Sequence, residues 1–262
     1  MSQELNSFAL IGSGRVASHL GSALVDSGLA CRGVFSPTYG HAKPLADTLC
    51  SPVISELVEM SDLDADFVLI AIKDDAIREV ASSFPKDYNG VLLHTSGGTP
   101  LSALNGVPHY GVLYPMQTFS HNRTIDISEI PLFYEASDTM TEGIIRSITR
   151  ALKSKSVHFL SSDNRVFLHI ASVFACNFVN HLYAQADEIM HRIDLDFSAL
   201  IPLVRETLDK AMSYPPKEVQ TGPAARGDMQ TVDRHLSCLS GHQKELYETI
   251  TKVILEEYKT KK

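Results

Sequence analysis

Tryptophan is absent from this 262-residue chain and cysteine is scarce, with Cys31, Cys50, Cys176 and Cys238 scattered and never in C-x-x-C spacing. That scatter argues against a zinc cluster or a disulfide framework, and no metal site is expected. Positive charge is also short: 23 Lys and Arg stand against 31 Asp and Glu, for a formal net charge of −8. Binding to phosphate backbones relies on clustered basic side chains, so neither nucleic acid nor an anionic membrane surface is an expected partner. The basic end Lys259-Thr260-Lys261-Lys262 reads as a solvated tail. No uninterrupted apolar stretch approaches the roughly 20 residues needed to span a bilayer. The first residues also lack a basic segment leading into an apolar signal core. The expectation is a cytoplasmic protein with no membrane partner.

Apolar residues are plentiful, at 44% of the chain, enough to bury the core of one large domain or two modest ones. Short β-like runs fall at 7–11, 32–35, 66–72, 91–94, 111–114, 132–135 and 157–160, with helical stretches between several of them. This alternation is the mark of an α/β fold with a mostly parallel sheet. The run Phe67-Val68-Leu69-Ile70-Ala71-Ile72 does not alternate, as expected of a strand covered on both faces. After Leu160 no further strand pattern occurs. A helix over 165–192 would be roughly 42 Å long, and further helices are expected at 197–212, 229–237 and 242–258, with Asp228 as N-cap of the third of these four. The expected division is a dinucleotide-binding domain over 1–160 and an all-α substrate and dimerisation domain over 161–262.

The run Gly12-Ser13-Gly14-Arg15-Val16-Ala17 follows Phe8-Ala9-Leu10-Ile11 and opens a helical stretch. That places a G-x-G-x-x-A turn between strand and helix, where a dinucleotide pyrophosphate binds. Gly12 permits a tight turn, Gly14 lets the backbone approach the phosphates, and Ala17 is small enough for the helix to pack on the strand. The alternative is a tight strand-to-helix turn with no ligand. NAD enzymes usually place Asp or Glu at the end of the second strand to accept from the ribose hydroxyls. Here the chain reads Phe35-Ser36-Pro37-Thr38. With no carboxylate to repel a 2′-phosphate, and with Ser36, Thr38, Arg15 and Lys43 as donors, NADP(H) is favoured over NAD(H).

Two further loops follow parallel strands, where open α/β sheets bind ligands. Ile72 and Lys73, leading into Asp74-Asp75, would run beside the nicotinamide ribose, and the turn Thr95-Ser96-Gly97-Gly98 would hydrogen-bond it. Asp74 and Asp75 serve equally well as helix-capping acids, and Thr95 to Gly98 as a plain tight turn.

The motifs Gly12–Ala17, Asp74-Asp75-Ala76-Ile77, His94-Thr95-Ser96-Gly97, Pro115-Met116-Gln117-Thr118-Phe119, His169 through Asn177 and Thr221-Gly222-Pro223-Ala224-Ala225-Arg226-Gly227-Asp228 resemble those of a bacterial Rossmann-like family with a helical domain of unknown function. Its members are described as NADP oxidoreductases. The architecture is similar to pyrroline-5-carboxylate reductase, deazaflavin-dependent NADP oxidoreductase and the β-hydroxyacid dehydrogenases. The resemblance implies a Rossmann domain followed by a helical domain like that of 6-phosphogluconate dehydrogenase-like proteins, which closes the cleft and often forms a homodimer.

β-Hydroxyacid dehydrogenases carry a catalytic Lys four residues before an Asn, and here Val173 stands four before Asn177. His169, two turns before Asn177 and about 80° away around an α-helix, is the candidate replacement as general acid or base. A buried histidine satisfied by a backbone carbonyl is the alternative. Asn177 would orient the reacting group or join a structural network. Gln117 would shape the nicotinamide side. Thr221 and Arg226 would anchor an anionic substituent through the guanidinium fork, unless Arg226 only clasps Asp228. The expected activity is hydride transfer between NADP(H) and a small carbonyl or imine, with the cofactor carrying the chemistry. The alternative is an NADP(H)-binding sensor without turnover.

Overall fold

The computed structural model describes residues 5–120 and 123–258; the basic tail Lys259–Lys262 and the first four residues lie outside the described residues. By compactness the chain divides into Met1–Asn177 and Phe178–Lys262. That division falls inside the long helix, whereas the strand pattern already ends near residue 160.

The first unit is built on an eight-stranded sheet in the order β3-β2-β1-β4-β5-β6-β7-β8. Its strands are β1 (Ser7–Ile11), β2 (Ala30–Phe35), β3 (Val53–Ile54), β4 (Phe67–Ile70), β5 (Val91–His94), β6 (Tyr110–Pro115), β7 (Leu132–Ala136) and β8 (Val157–Phe159). All neighbours pair in parallel except β6 and β7, which are antiparallel. The helices are α1 (Arg15–Asp26), α2 (Tyr39–Thr48), α3 (Asp74–Ser83) and α4 (Thr139–Ala151).

Both sheet faces are covered, which explains the unbroken apolar runs. Phe8 and Leu10 of β1 belong to one core with Leu20, Leu24 and Ile148, while Ala9 and Ile11 belong to the other with Ile77 and Phe84. Strand order reverses between β1 and β4, and in open α/β sheets ligands bind outside the carboxyl ends of strands at such a switch point. Every cofactor candidate near residues 12–16 and 72–73 therefore sits at that edge.

A continuous helical stretch follows, made of α5 (Ser162–Ser172), a π-helical segment (Val173–Phe178) and α6 (Val179–His191). By length and composition only, Ser162–His191 is long and apolar enough to cross a membrane. Its apolar residues are spread among His169, Asn177, Asn180, His181 and Gln185, so no uninterrupted run betrays it. The second unit continues with α7 (Ile201–Ser213), the short α8 (Pro223–Arg226), α9 (Met229–Cys238) and α10 (Gly241–Tyr258). Asp228 caps α9 by accepting from the Thr231 amide at 3.1 Å and the Thr231 hydroxyl at 2.7 Å.

Candidate active site

The turn after β1 is shaped for an anion. Gly12 has φ of +109°, and a Cβ there would lie 2.3 Å from the Ala71 carbonyl oxygen and 2.8 Å from Ile72 Cγ2. Only glycine fits where the ends of β1 and β4 meet. Gly14 is the N-cap of α1 and meets nothing within 4 Å of where its Cβ would point. No side chain caps this helix and its first turn holds no acid. Its amides and positive dipole end can therefore accept a phosphate, with Ser13, Arg15 and Val16 around them. Ala17 is fully buried in the core. Gly12→Ala is expected to cost more than about 1 to 3 kcal/mol, because backbone strain adds to the Ala71 clash. Thermal unfolding with and without NADPH would read both the lower midpoint and the loss of ligand stabilisation.

At the end of β2, Ser36 is half-buried and Thr38 exposed. Thr38 is the N-cap residue of α2 but its side chain makes no capping bond. Lys43 is engaged by Asp47 one turn later on α2, which leaves the two hydroxyls as the less committed donors of this segment.

Past β4, Ile72 packs near Gly12 and Lys73 is the N-cap residue of α3, whose first turn carries Asp74 and Asp75. Past β5, the Thr95 hydroxyl donates to the Ile70 carbonyl at 3.3 Å. The Ser96 hydroxyl accepts from the Gly98 and Thr99 amides at 3.1 and 2.8 Å. Both hydroxyls thus build the turn itself. Beneath it His94 is fully buried, and its Nδ1 accepts from the Ser96 amide at 3.2 Å. Burial, and secondarily the nearby Arg165 charge, push the His94 imidazolium down to about 3, so this ring is neutral at physiological pH.

Two titratable side chains meet between β6 and α5. Tyr114, at the carboxyl end of β6, has its hydroxyl 3.3 Å from His169 Nδ1 on α5, with the two rings edge-on. Burial raises the Tyr114 phenol above its usual range, which keeps it a proton donor at neutral pH. A Cβ on Gly97 would stand 2.8 Å from His169 Nδ1 and 2.9 Å from Tyr114 Cζ. Glycine is needed here because the imidazole and phenol occupy the room a side chain would take. Asp74 Oδ2 comes within 3.3 Å of the corresponding point on Gly98, so this first acid of α3 borders the same turn. Gly97→Ala should therefore displace the pair and lower kcat by roughly a hundredfold, since misplacement by about 1 Å has that order of effect. NADPH-induced stabilisation should survive, and steady-state kinetics beside thermal shifts would separate the two.

Tyr114 was not singled out from sequence, although it directly precedes the Pro115-Met116-Gln117 motif. Its approach to His169 is visible only once β6 is seen to end opposite α5. Asn177 is exposed and lies in the π-helical segment. A π turn rotates less per residue than an α turn, so Asn177 lies closer to the His169 face than the 80° of an α-helical count. Gln117 is exposed, its Oε1 accepts from the Thr118 amide at 2.8 Å, and it borders a cavity of about 410 Å³ with Phe119 and Arg123. Thr221 belongs to the second unit, where it lines an apolar cavity of about 330 Å³ with Leu182, Ile189, Leu246 and Ile250. Arg226 ends α8, and Gly227 follows with φ of +72°. Asp228 is held below the usual carboxylate range by the Thr231 hydroxyl and amide, with a smaller pull from Arg226.

Residues 7–93 match the family described as NADP oxidoreductase, coenzyme F420-dependent, and residues 130–254 match the domain of unknown function DUF2520. Among solved structures, a provisionally assigned NADP oxidoreductase from Bacteroides fragilis is 35% identical, over 96% of this chain and 98% of that one, with a TM-score of 0.85. An imine reductase from Myxococcus stipitatus in complex with NADP+ is 17% identical over 97% of this chain and 94% of that one, with a TM-score of 0.67. A pyrroline carboxylate reductase from Plasmodium falciparum with NADP bound is 11% identical over 98% of both chains, with a TM-score of 0.60. These last two share the fold alone. No curated protein matches the sequence. With 35% identity sustained along almost its whole length and the two domain matches in succession, the chain belongs to the NADP oxidoreductase family that joins a coenzyme F420-dependent-type Rossmann domain to a DUF2520 domain.

Proposed function

We propose that the chain is an NADP(H)-preferring reductase or dehydrogenase acting on a small carbonyl or imine. The observation that carries this reading is the Tyr114–His169 pair at the carboxyl edge of the sheet, beside the turn that begins at Thr95. NADP(H), when bound, supplies or takes the hydride. The chain's own task is then to hold the pyrophosphate at Gly12–Val16, admit a 2′-phosphate near Ser36, Thr38 and Arg15, and move one proton. Tyr114 donates that proton to the reacting oxygen or nitrogen, and His169 replenishes it through Nδ1. Asn177 orients the reacting group, and Gln117, Thr95 and Ser96 shape the nicotinamide side; within the second unit, Thr221 with Arg226 offers a place for an anionic group.

The test has two stages. Thermal unfolding with NADPH, NADP, NADH and NAD titrated separately reads cofactor choice, since a ligand that binds only the folded state raises stability by mass action. Stabilisation at lower concentrations of NADPH than of NADH is expected. NADPH oxidation is then followed against a panel of small cyclic imines and α-keto acids. Tight NADPH binding with no turnover on any of them would favour a sensor over an enzyme.

The partner for this reading is a second copy. Phe167, Ile170, Phe174, Phe178 and Leu182 are all exposed and recur at helical spacing along the long helix, an apolar stripe larger than single-chain solubility favours. A homodimer through this stripe is expected to elute at twice the chain mass in light-scattering chromatography, and Phe174→Glu to shift it toward monomer.

A further inference from the structure

We propose that Arg165 is a positioning residue for the Tyr114–His169 pair. Together with Glu135 and Ser162, it ties the start of α5 to β7 and to the turn after β5, and so sets the approach of imidazole to phenol. The inference rests on the reading of that pair as the proton-transfer group.

Arg165 is 1% exposed, the largest fully buried side chain among the described residues. It stands on α5 four residues before His169, hence on the same face one turn earlier. Its Nη1 donates to Glu135 Oε2 at 2.9 Å, and its Nη2 donates to the Thr99 carbonyl at 2.7 Å and to the Ser162 hydroxyl at 3.3 Å. Ser162 in turn donates to the same Glu135 oxygen at 2.5 Å and accepts from the Leu101 amide at 2.8 Å. One guanidinium thus joins three segments that are far apart in sequence. Thr99 lies two residues beyond Gly97, whose missing Cβ leaves the space that His169 and Tyr114 fill. A shift of α5 against this turn would open or close the 3.3 Å contact directly.

Stability alone does not account for a buried ion pair, because well-packed apolar replacements are often as stable or more so. What such replacements lack is the fork that holds a carboxylate and a carbonyl in one plane. The pair also sits where charge matters. Tyr114 faces Arg165, Asp74, Cys176, Ser172 and His169, and the Arg165 charge opposes part of the rise that burial imposes on the phenol.

Three variants test this. Glu135→Gln keeps the shape and an acceptor but removes the counter-charge. Arg165→Lys keeps the charge but loses the fork. The double change Arg165→Met with Glu135→Leu removes both charges together, so neither is left buried alone if a single variant fails to fold. The Tyr114 phenol is titrated by NMR on ring-labelled protein, and kcat and the KM for NADPH are measured in parallel. Glu135→Gln should move the Tyr114 titration to lower pH, since an uncompensated positive charge favours phenolate. Arg165→Lys and the double variant should lose roughly ten- to a hundredfold in kcat, the scale expected of a small displacement of reacting groups, with the KM for NADPH nearly unchanged. An unmoved Tyr114 titration in folded Glu135→Gln, or wild-type kcat in the folded double variant, overturns the proposal. If the wild-type protein turns over no substrate, the Tyr114 titration still decides this point, so the two failures remain distinguishable.

Discussion

Tyr114→Phe is expected to lower kcat by about 10²- to 10⁴-fold, the range for loss of a positioned proton donor, while leaving NADPH-induced stabilisation intact. The change deletes one oxygen from a ring that is otherwise buried, so the packing of β6 against its neighbours is preserved. His169→Gln should cost a similar factor, because a glutamine keeps polar atoms on α5 but cannot cycle a proton. The double variant should be little worse than either single one. Groups that act as a unit are strongly non-additive, and the 3.3 Å contact makes these two such a unit. Two independent, multiplying losses would mean that phenol and imidazole serve separate steps. Full turnover in His169→Gln would falsify the relay and leave the histidine as a packing residue.

Stability should fall as the solution is acidified below about pH 6.5, and His94 should be a principal cause. In the folded chain its pKa is pushed from 6.5 to about 3, first by burial and then by Arg165. The unfolded chain therefore binds a proton that the folded chain refuses throughout that window. The depressed value means that its contribution is fully present above pH 6.5 and is lost progressively as pH falls toward 3. The slope attributable to this one ring is at most about 1.4 kcal/mol per pH unit. Protonation would also remove the Nδ1 acceptor that the Ser96 amide uses, so the turn carrying Gly97 should loosen with it. Urea unfolding of wild type and His94→Gln across pH 5 to 7 checks this. The variant should be less stable at pH 7 and show the shallower pH dependence, and parallel slopes would remove His94 from the account.

Where local chemistry decides the backbone, the chain could be read directly. Gly12 and Gly14 between an apolar run and a helical stretch specify the strand-turn-helix unit, since only glycine tolerates φ of +109° against the Ala71 carbonyl. Asp228 is legible as a cap because the Thr231 amide lies three residues on, within reach of its side chain. The unbroken run beginning at Phe67 correctly signals a strand covered on both faces. By contrast, β3 is only Val53–Ile54, too short for any periodicity. The reversed direction of β7 leaves no trace in its composition either.

The sequence by itself thus determined the Rossmann turn, most strands, the helical second half and the absence of a carboxylate after β2. Each of these depends on residues within a turn or a strand of one another. Only the tertiary structure decided that Tyr114 meets His169 across 55 positions, that Gly97 is glycine because both rings need its space, and that Arg165 joins Thr99 to Glu135. Contacts between residues so distant in the chain are set by strand order and by the angle at which α5 leaves β8. Neither imposes a repeating pattern on the sequence, so no periodicity or spacing could have revealed them.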